Sequence, residues 1–182
     1  MKLKIGDVVL FRGARKSIVS RMISKVTNSQ FSHVGIIYSL KSDGSICIAE
    51  ALWEGFVINH YSKEEMYFLF PRLQIKRTNI LLGQEKIQNE IIKYKGISYG
   101  FSQLFAIWIH RITGKEIIKN GLQDLICSEV VARVLYDCSG GTINFEKEFG
   151  IPFDYISPAQ IARSTQLELI YDGIELVGGV KK

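Results

Sequence analysis

The chain has three cysteines and three histidines among 182 residues, few enough that each can be weighed as chemistry or as packing. Cys127 stands in Leu125-Ile126-Cys127-Ser128-Glu129-Val130-Val131, where a loop runs into an apolar stretch of helical spacing. A helix start offers unbonded N–H groups and the positive end of the helix dipole, which together stabilise a thiolate. The same groups can hold the oxyanion of an acyl-transfer intermediate. The competing reading is a small apolar core residue, which is what most buried cysteines are. Cys47, inside a strand-like run, and Cys138, ahead of Gly140-Gly141, have no such context and read as packing.

A cysteine nucleophile needs a base and something to orient it. His33 heads the run Val34-Gly35-Ile36-Ile37-Tyr38, whereas His60 ends a strand and His110 sits beside Arg111 at a helix end. Glu50 lies in Ile46-Cys47-Ile48-Ala49-Glu50-Ala51-Leu52, a carboxylate in apolar company that is costly to bury unless paired. Pairing Leu40 with Ser45 across the turn at residues 41–44 sets Gly35 opposite Glu50. His33 shares a face with Gly35, so it becomes a diagonal neighbour of Glu50. A loop of even length keeps this parity and an odd one reverses it. The competing reading is a solvent-facing strand that carries two polar residues. If Glu50 is a buried charge, Glu50→Leu is expected to keep or raise thermal stability.

The elements that position these residues are read from periodicity and turn chemistry. Strands are predicted over residues 5–11, 34–38, 45–52, 55–61 and 68–73, with Pro71 marking the last as an edge. Helices are predicted over residues 17–26, 83–94, 101–112 and 126–136. A short helix over 159–163 opens at Ser157-Pro158. A hairpin through Asp172-Gly173 closes the chain. Helices segregate from an antiparallel meander, so the class is α+β.

With 47% hydrophobic residues and no repeat or biased segment, residues 1–182 read as a single globular domain. Net charge is 23 − 18 = +5, and the basic residues are scattered rather than blocked. No nucleic-acid partner is expected. The longest uncharged stretch, residues 96–110, is too short and polar for a spanning helix, and no signal peptide is recognised. No Cys-x-x-Cys pair occurs, so a structural zinc site and a disulfide framework are not expected, and a reduced, cytoplasmic setting is.

Three segments together resemble the permuted papain-like amidases of the YiiX/YaeF kind, a branch of the NlpC-type cysteine peptidases. They are Gly6-Asp7-Val8-Val9-Leu10-Phe11-Arg12; Ser32-His33-Val34-Gly35-Ile36 with Ile48-Ala49-Glu50-Ala51 and Gly55-Phe56-Val57; and Cys127-Ser128-Glu129-Val130-Val131-Ala132 with Ser157-Pro158-Ala159-Gln160. The resemblance implies a circularly permuted papain-like fold, an antiparallel sheet or barrel packed against helices. It also implies a Cys127–His33–Glu50 triad acting through an acyl-enzyme on a peptide, cell-wall peptide or acyl-amide substrate, without a metal or other cofactor. The family's Gly-x-x-Tyr-Asp segment reads Gly96-Ile97-Ser98-Tyr99-Gly100, so the tyrosine matches and the acid is missing. Tyr99 and Ser128 are the expected oxyanion or site-lining residues. Trp53 and Phe56 follow Glu50 closely enough to line a substrate cleft, although aromatics beside strands more often pack in the core. A catalytically silent binding module on the same fold and a lipid-directed acyltransferase are the alternatives.

Overall fold

The structure, a computed structural model, describes residues 2–13, 29–52, 55–99 and 124–173, with only the backbone of residues 98, 99, 124 and 125. The alternating apolar residues of five segments, and a sixth near the chain end, assemble into one antiparallel sheet. Its strands are β1 (Val8–Arg12), β2 (Phe31–Leu40), β3 (Ile46–Leu52), β4 (Gly55–Tyr61), β5 (Leu73–Thr78) and, last in the chain, a strand at Leu167–Asp172. The spatial order is β4-β3-β2-β1-β5 and then Leu167–Asp172. Among the described residues β4 and Leu167–Asp172 are the two edges, and the sheet they bound is open.

One face carries Val8, Leu10, Val34, Ile36, Ala49, Ala51 and Phe56. It is covered by Ile87 and Ile91 of one helix and by Val130, Val131, Val134 and Leu135 of another. Between β4 and β5 runs helix α1 (Lys63–Leu69); the two covering helices are α2 (Gln84–Ile92) and α3 (Cys127–Cys138). The opposite face carries Val9, Ile37, Ile46, Ile48 and Leu73, with Met66 of α1 against them. Two short strands, β6 (Ser98–Tyr99) and β7 (Asp124–Leu125), pair in parallel just ahead of α3. After α3 come α4 (Phe145–Phe149) and α5 (Pro158–Arg163), and Leu167–Asp172 is therefore β8.

The predicted strand over residues 68–73 does not form. Ser62 and Glu65 make a reciprocal capping box that starts α1, and Pro71 falls in a 3-10 turn, Phe70–Arg72. The strand begins at Leu73 instead, and β5 lies inside the sheet between β1 and β8, not at an edge. The predicted helices over residues 17–26 and 101–112 and the second strand of the closing hairpin lie outside the described residues. Among the described residues no helix is long and apolar enough to cross a membrane.

A buried lysine ties the end of α5 to the sheet. Lys76 of β5 is 6% exposed, and its Nζ donates to the carbonyls of Ala162 at 2.7 Å and Ser164 at 2.9 Å. These are helix-end carbonyls with no partner inside the helix. Lys76→Met keeps the apolar stem but strips both acceptors, and is expected to cost about 1–3 kcal/mol in chemical denaturation. A variant as stable as the wild type would show that the two bonds contribute nothing net.

Candidate active site

The register of β2 and β3 sets His33 beside Glu50. Gly35 stands opposite Glu50, as expected, but the route differs from the expected one. The strand ends pair Leu40 with Ile46, leaving residues 41–45 as a loop of odd length. Taken alone, that loop would put His33 and Glu50 on opposite faces. A β-bulge at Tyr38 adds one residue to β2 between the Ile37–Ile48 and Ser39–Cys47 pairs and restores the parity. His33 Nε2 and Glu50 Oε2 are 2.8 Å apart.

Glu50 is 2% exposed and its second oxygen is engaged as well. Oε1 accepts from the Tyr61 hydroxyl at 2.7 Å and from Asn59 Nδ2 at 3.3 Å, both on β4. Gly35 provides the room this needs. A Cβ there would stand 2.9 Å from Glu50 Cγ and 2.7 Å from Ile48 Cγ2. Phe11 of β1 flanks the His33 ring with centroids 5.2 Å apart.

Cys127 reaches this pair from the other layer. The β2–β3 ladder stops at Gly35–Glu50, whereas β3 continues against β4 as far as Leu52–Gly55. Ile37 exchanges both its backbone bonds with the β1 side, at Gly6 and Asp7. By alternation the N–H of Val34 points away from β1, into the space where β3 has parted from β2. The Cys127 thiol feels this N–H: the His33 side chain and the backbone N–H groups of Val34 and Ser128 all act to lower its pKa. Because Nε2 faces Glu50, Nδ1 is the ring nitrogen left for the thiol.

Cys127 is the first residue of α3, and the N-cap before it is Ile126, which has no side-chain acceptor. Helices usually satisfy their first N–H groups with Ser, Thr, Asp or Asn at that position. Here, among the described residues, no side chain caps these donors.

The electrostatics follow from this packing. Burial alone would lower the His33 pKa, but Cys127 and Glu50 outweigh it and raise it to about 10. Burial alone would push the Cys127 thiol up; the imidazole and the two backbone donors outweigh it and hold the thiol below its ordinary value. Both shifts favour an imidazolium beside a thiolate. His33 is 19% exposed on its side chain and Cys127 is 3% exposed, so solvent meets the site through the imidazole. Cys138, by contrast, is pushed up to about 11 by burial, and Cys47 is half-buried on β3. His60 is exposed, and His110 lies outside the described residues.

The flanking expectations fare unevenly. Ser128 is fully buried, and its hydroxyl donates to the Ile156 carbonyl at 2.6 Å; it anchors the start of α3 and does not line the site with its side chain. Its backbone N–H is among the groups that lower the Cys127 thiol. Phe56 is not a cleft residue either: it is 4% exposed in the core, edge-on to Tyr94 at 6.1 Å. The backbone of Tyr99 pairs with Leu125, two residues before Cys127. The side chain of Tyr99 and all of Trp53 lie outside the described residues. Asn59 and Tyr61 were missed, although the Gly55–Leu52 hairpin would have set them on the face of Glu50 had period two been carried across to β4.

No family model matches this sequence, and no curated protein matches it. Among solved structures, the chain is similar to one described as metalloprotein yiiX from Escherichia coli O157:H7, DUF1105. Identity is 17% and the TM-score 0.61, over 93% of this chain and 97% of that one. At that identity the likeness is one of fold.

Gly35→Ala tests the clearance beneath Glu50. The added methyl must displace Glu50 or Ile48, and overpacking of this kind costs about 1–3 kcal/mol. A lowered melting temperature is expected together with slower alkylation of Cys127. Unchanged alkylation in a folded Gly35→Ala protein would mean that Glu50 reaches His33 without the gap.

Proposed function

We propose that the chain is a cysteine amidase or peptidase that transfers the acyl group of a peptide, cell-wall peptide or acyl-amide to Cys127 and then to water. The observation that supports this most is the placement of His33, whose ring is 2.8 Å from Glu50 and whose charged form is favoured by Cys127 at the start of α3. The thiolate attacks the acyl carbonyl, forming the C–S bond, and the oxyanion takes the first-turn N–H groups. The His33 imidazolium gives its proton to the leaving amine as the C–N bond breaks. Neutral His33 then accepts a proton from water, whose oxygen attacks the thioester and releases the carboxylic acid with Cys127 as thiolate. Glu50 holds the ring in position throughout. Tyr99, whose backbone lies beside Leu125, is our choice for a second oxyanion donor.

The similar structure is described as a metalloprotein. Among the described residues, the donors around His33 do not fit such a centre. Glu50 uses both oxygens on His33, Tyr61 and Asn59. Among the described residues no three His, Cys, Asp or Glu side chains are placed to hold one ion. No step of the proposed reaction runs through a metal.

Iodoacetamide alkylation tests the nucleophile without a known substrate. Because the thiol of Cys127 is held below its ordinary value, its reaction near pH 7 is expected to exceed that of Cys47 and Cys138 roughly tenfold or more. His33→Ala should abolish the advantage. Equal rates at the three thiols would remove Cys127 from the role. With a substrate in hand, Glu50→Gln is expected to cost roughly 10–10³ in turnover, less than a serine triad loses, because a thiolate depends less on its base.

The ion pair also has a signature in stability. His33 rises from 6.5 to about 10 and Cys127 falls from 9.0. If the native pair is imidazolium and thiolate throughout, folding between pH 6.5 and 9.0 moves a proton from thiol to imidazole with no net uptake, and the contribution of the pair is flat. Below that window the unfolded chain binds a proton the native thiolate does not; above it the native imidazolium keeps one the unfolded chain has lost. Both changes favour unfolding. Compared with a Cys127→Ala/His33→Ala double variant, the wild type should lose melting temperature on either side of the plateau. A gap that varies monotonically with pH would contradict the ion pair.

A further inference from the structure

We infer that Tyr61, with Asn59 beside it, is a positioning residue of this site: its hydroxyl fixes the Glu50 carboxylate in the orientation that holds His33. The inference rests on the cysteine-nucleophile reading above and extends the site onto β4. Of the three donors on Glu50, two are neutral: the Tyr61 hydroxyl at 2.7 Å and the Asn59 amide at 3.3 Å. A lysine or arginine in their place would also satisfy a buried carboxylate, but it would compete with the imidazolium for the same charge. Neutral donors satisfy the oxygen and leave the charge to His33. Burial, and then the Glu50 charge, raise the Tyr61 phenol above its ordinary value, so it stays a donor at any working pH.

The geometry is built for reach. Tyr61 pairs with Ile46 and Asn59 with Ile48, so both lie on the face of Glu50 but displaced along β3 from its own partner, Val57. Asn59 is one same-face position from Glu50 and Tyr61 is two, so Tyr61 reaches by its length. Tyr61 is also held at its root, since the next residue, Ser62, is the N-cap of α1 and is locked reciprocally to Glu65. Without the 2.7 Å bond, Oε1 keeps, among the described residues, the longer contact with Asn59. The terminal carboxylate torsion is broad, and an oxygen deprived of its donor turns toward another. The bond from Oε2 to His33 loosens with it.

The experiment is Tyr61→Phe, read by the NMR titration of labelled His33 and by the alkylation rate of Cys127. The His33 midpoint is expected to fall by about half to one pH unit, and the rate near neutral pH by about three- to tenfold. Asn59→Ala should move both in the same direction by less, and it carries the test if Tyr61→Phe does not fold. Neither substitution should have a further effect in a Glu50→Gln background. An unchanged or raised His33 midpoint in Tyr61→Phe, or an equal drop without the Glu50 carboxylate, overturns the inference while leaving the nucleophile in place. A wild type in which His33 titrates at its ordinary value and Cys127 reacts no faster than Cys47 fails at the earlier reading, and this one falls with it.

Discussion

The structure around the site depends on keeping one buried carboxylate satisfied. Glu50 is 2% exposed in a strand whose neighbours on the same face are Ile46 and Ile48. An isolated charge there would cost several kcal/mol. Three donors converge on it from two strands, and Gly35 gives up its side chain so that the carboxylate can lie across β2. The arrangement changes what an apolar replacement would do. Glu50→Leu would remove the charge but leave the Tyr61 hydroxyl, the Asn59 amide and the His33 ring without their acceptor. The sequence-based expectation of retained or improved stability therefore gives way to a loss.

The second constraint is the parting of β2 and β3. A sheet laddered to its ends would place the imidazole and the helix start in different layers. Because the β2–β3 ladder ends at Gly35–Glu50, Val34 offers a backbone N–H to the helix layer while His33 stays on the other face. Ile126, which cannot cap α3, leaves a second set of donors at the same point. Ladder end and helix start thus supply a positive environment for one sulfur from backbone alone, and His33 adds the charge.

Much of this was legible in the residues. The β-branched run after His33, the apolar run around Glu50 and the helical spacing after Cys127 correspond to β2, β3 and α3. The face shared by His33 and Glu50 was also anticipated, through an even loop, whereas the molecule uses an odd loop and a bulge at Tyr38. Nothing local marks that bulge, because it follows from where β3 settles. The strand expected at residues 68–73 failed for the opposite reason: a local signal, the Ser62–Glu65 box, outranked the apolar run. Phe56 packs in the core because β4 turns it toward α2 and Tyr94, a tertiary fact. Ser128 follows the nucleophile in the chain, yet the 2.6 Å bond to Ile156 spends its hydroxyl on fixing the helix start.

The most direct test of the central claim is covalent. The protein would be incubated with p-nitrophenyl esters and the matching anilides, quenched in acid, and mapped by peptide mass spectrometry. A nucleophile poised as described should carry a single acyl group on Cys127, formed with release of p-nitrophenol from the esters or p-nitroaniline from the anilides, and absent from His33→Ala. Acylation spread over Cys47, Cys127 and Cys138 alike, or none on Cys127, would contradict it.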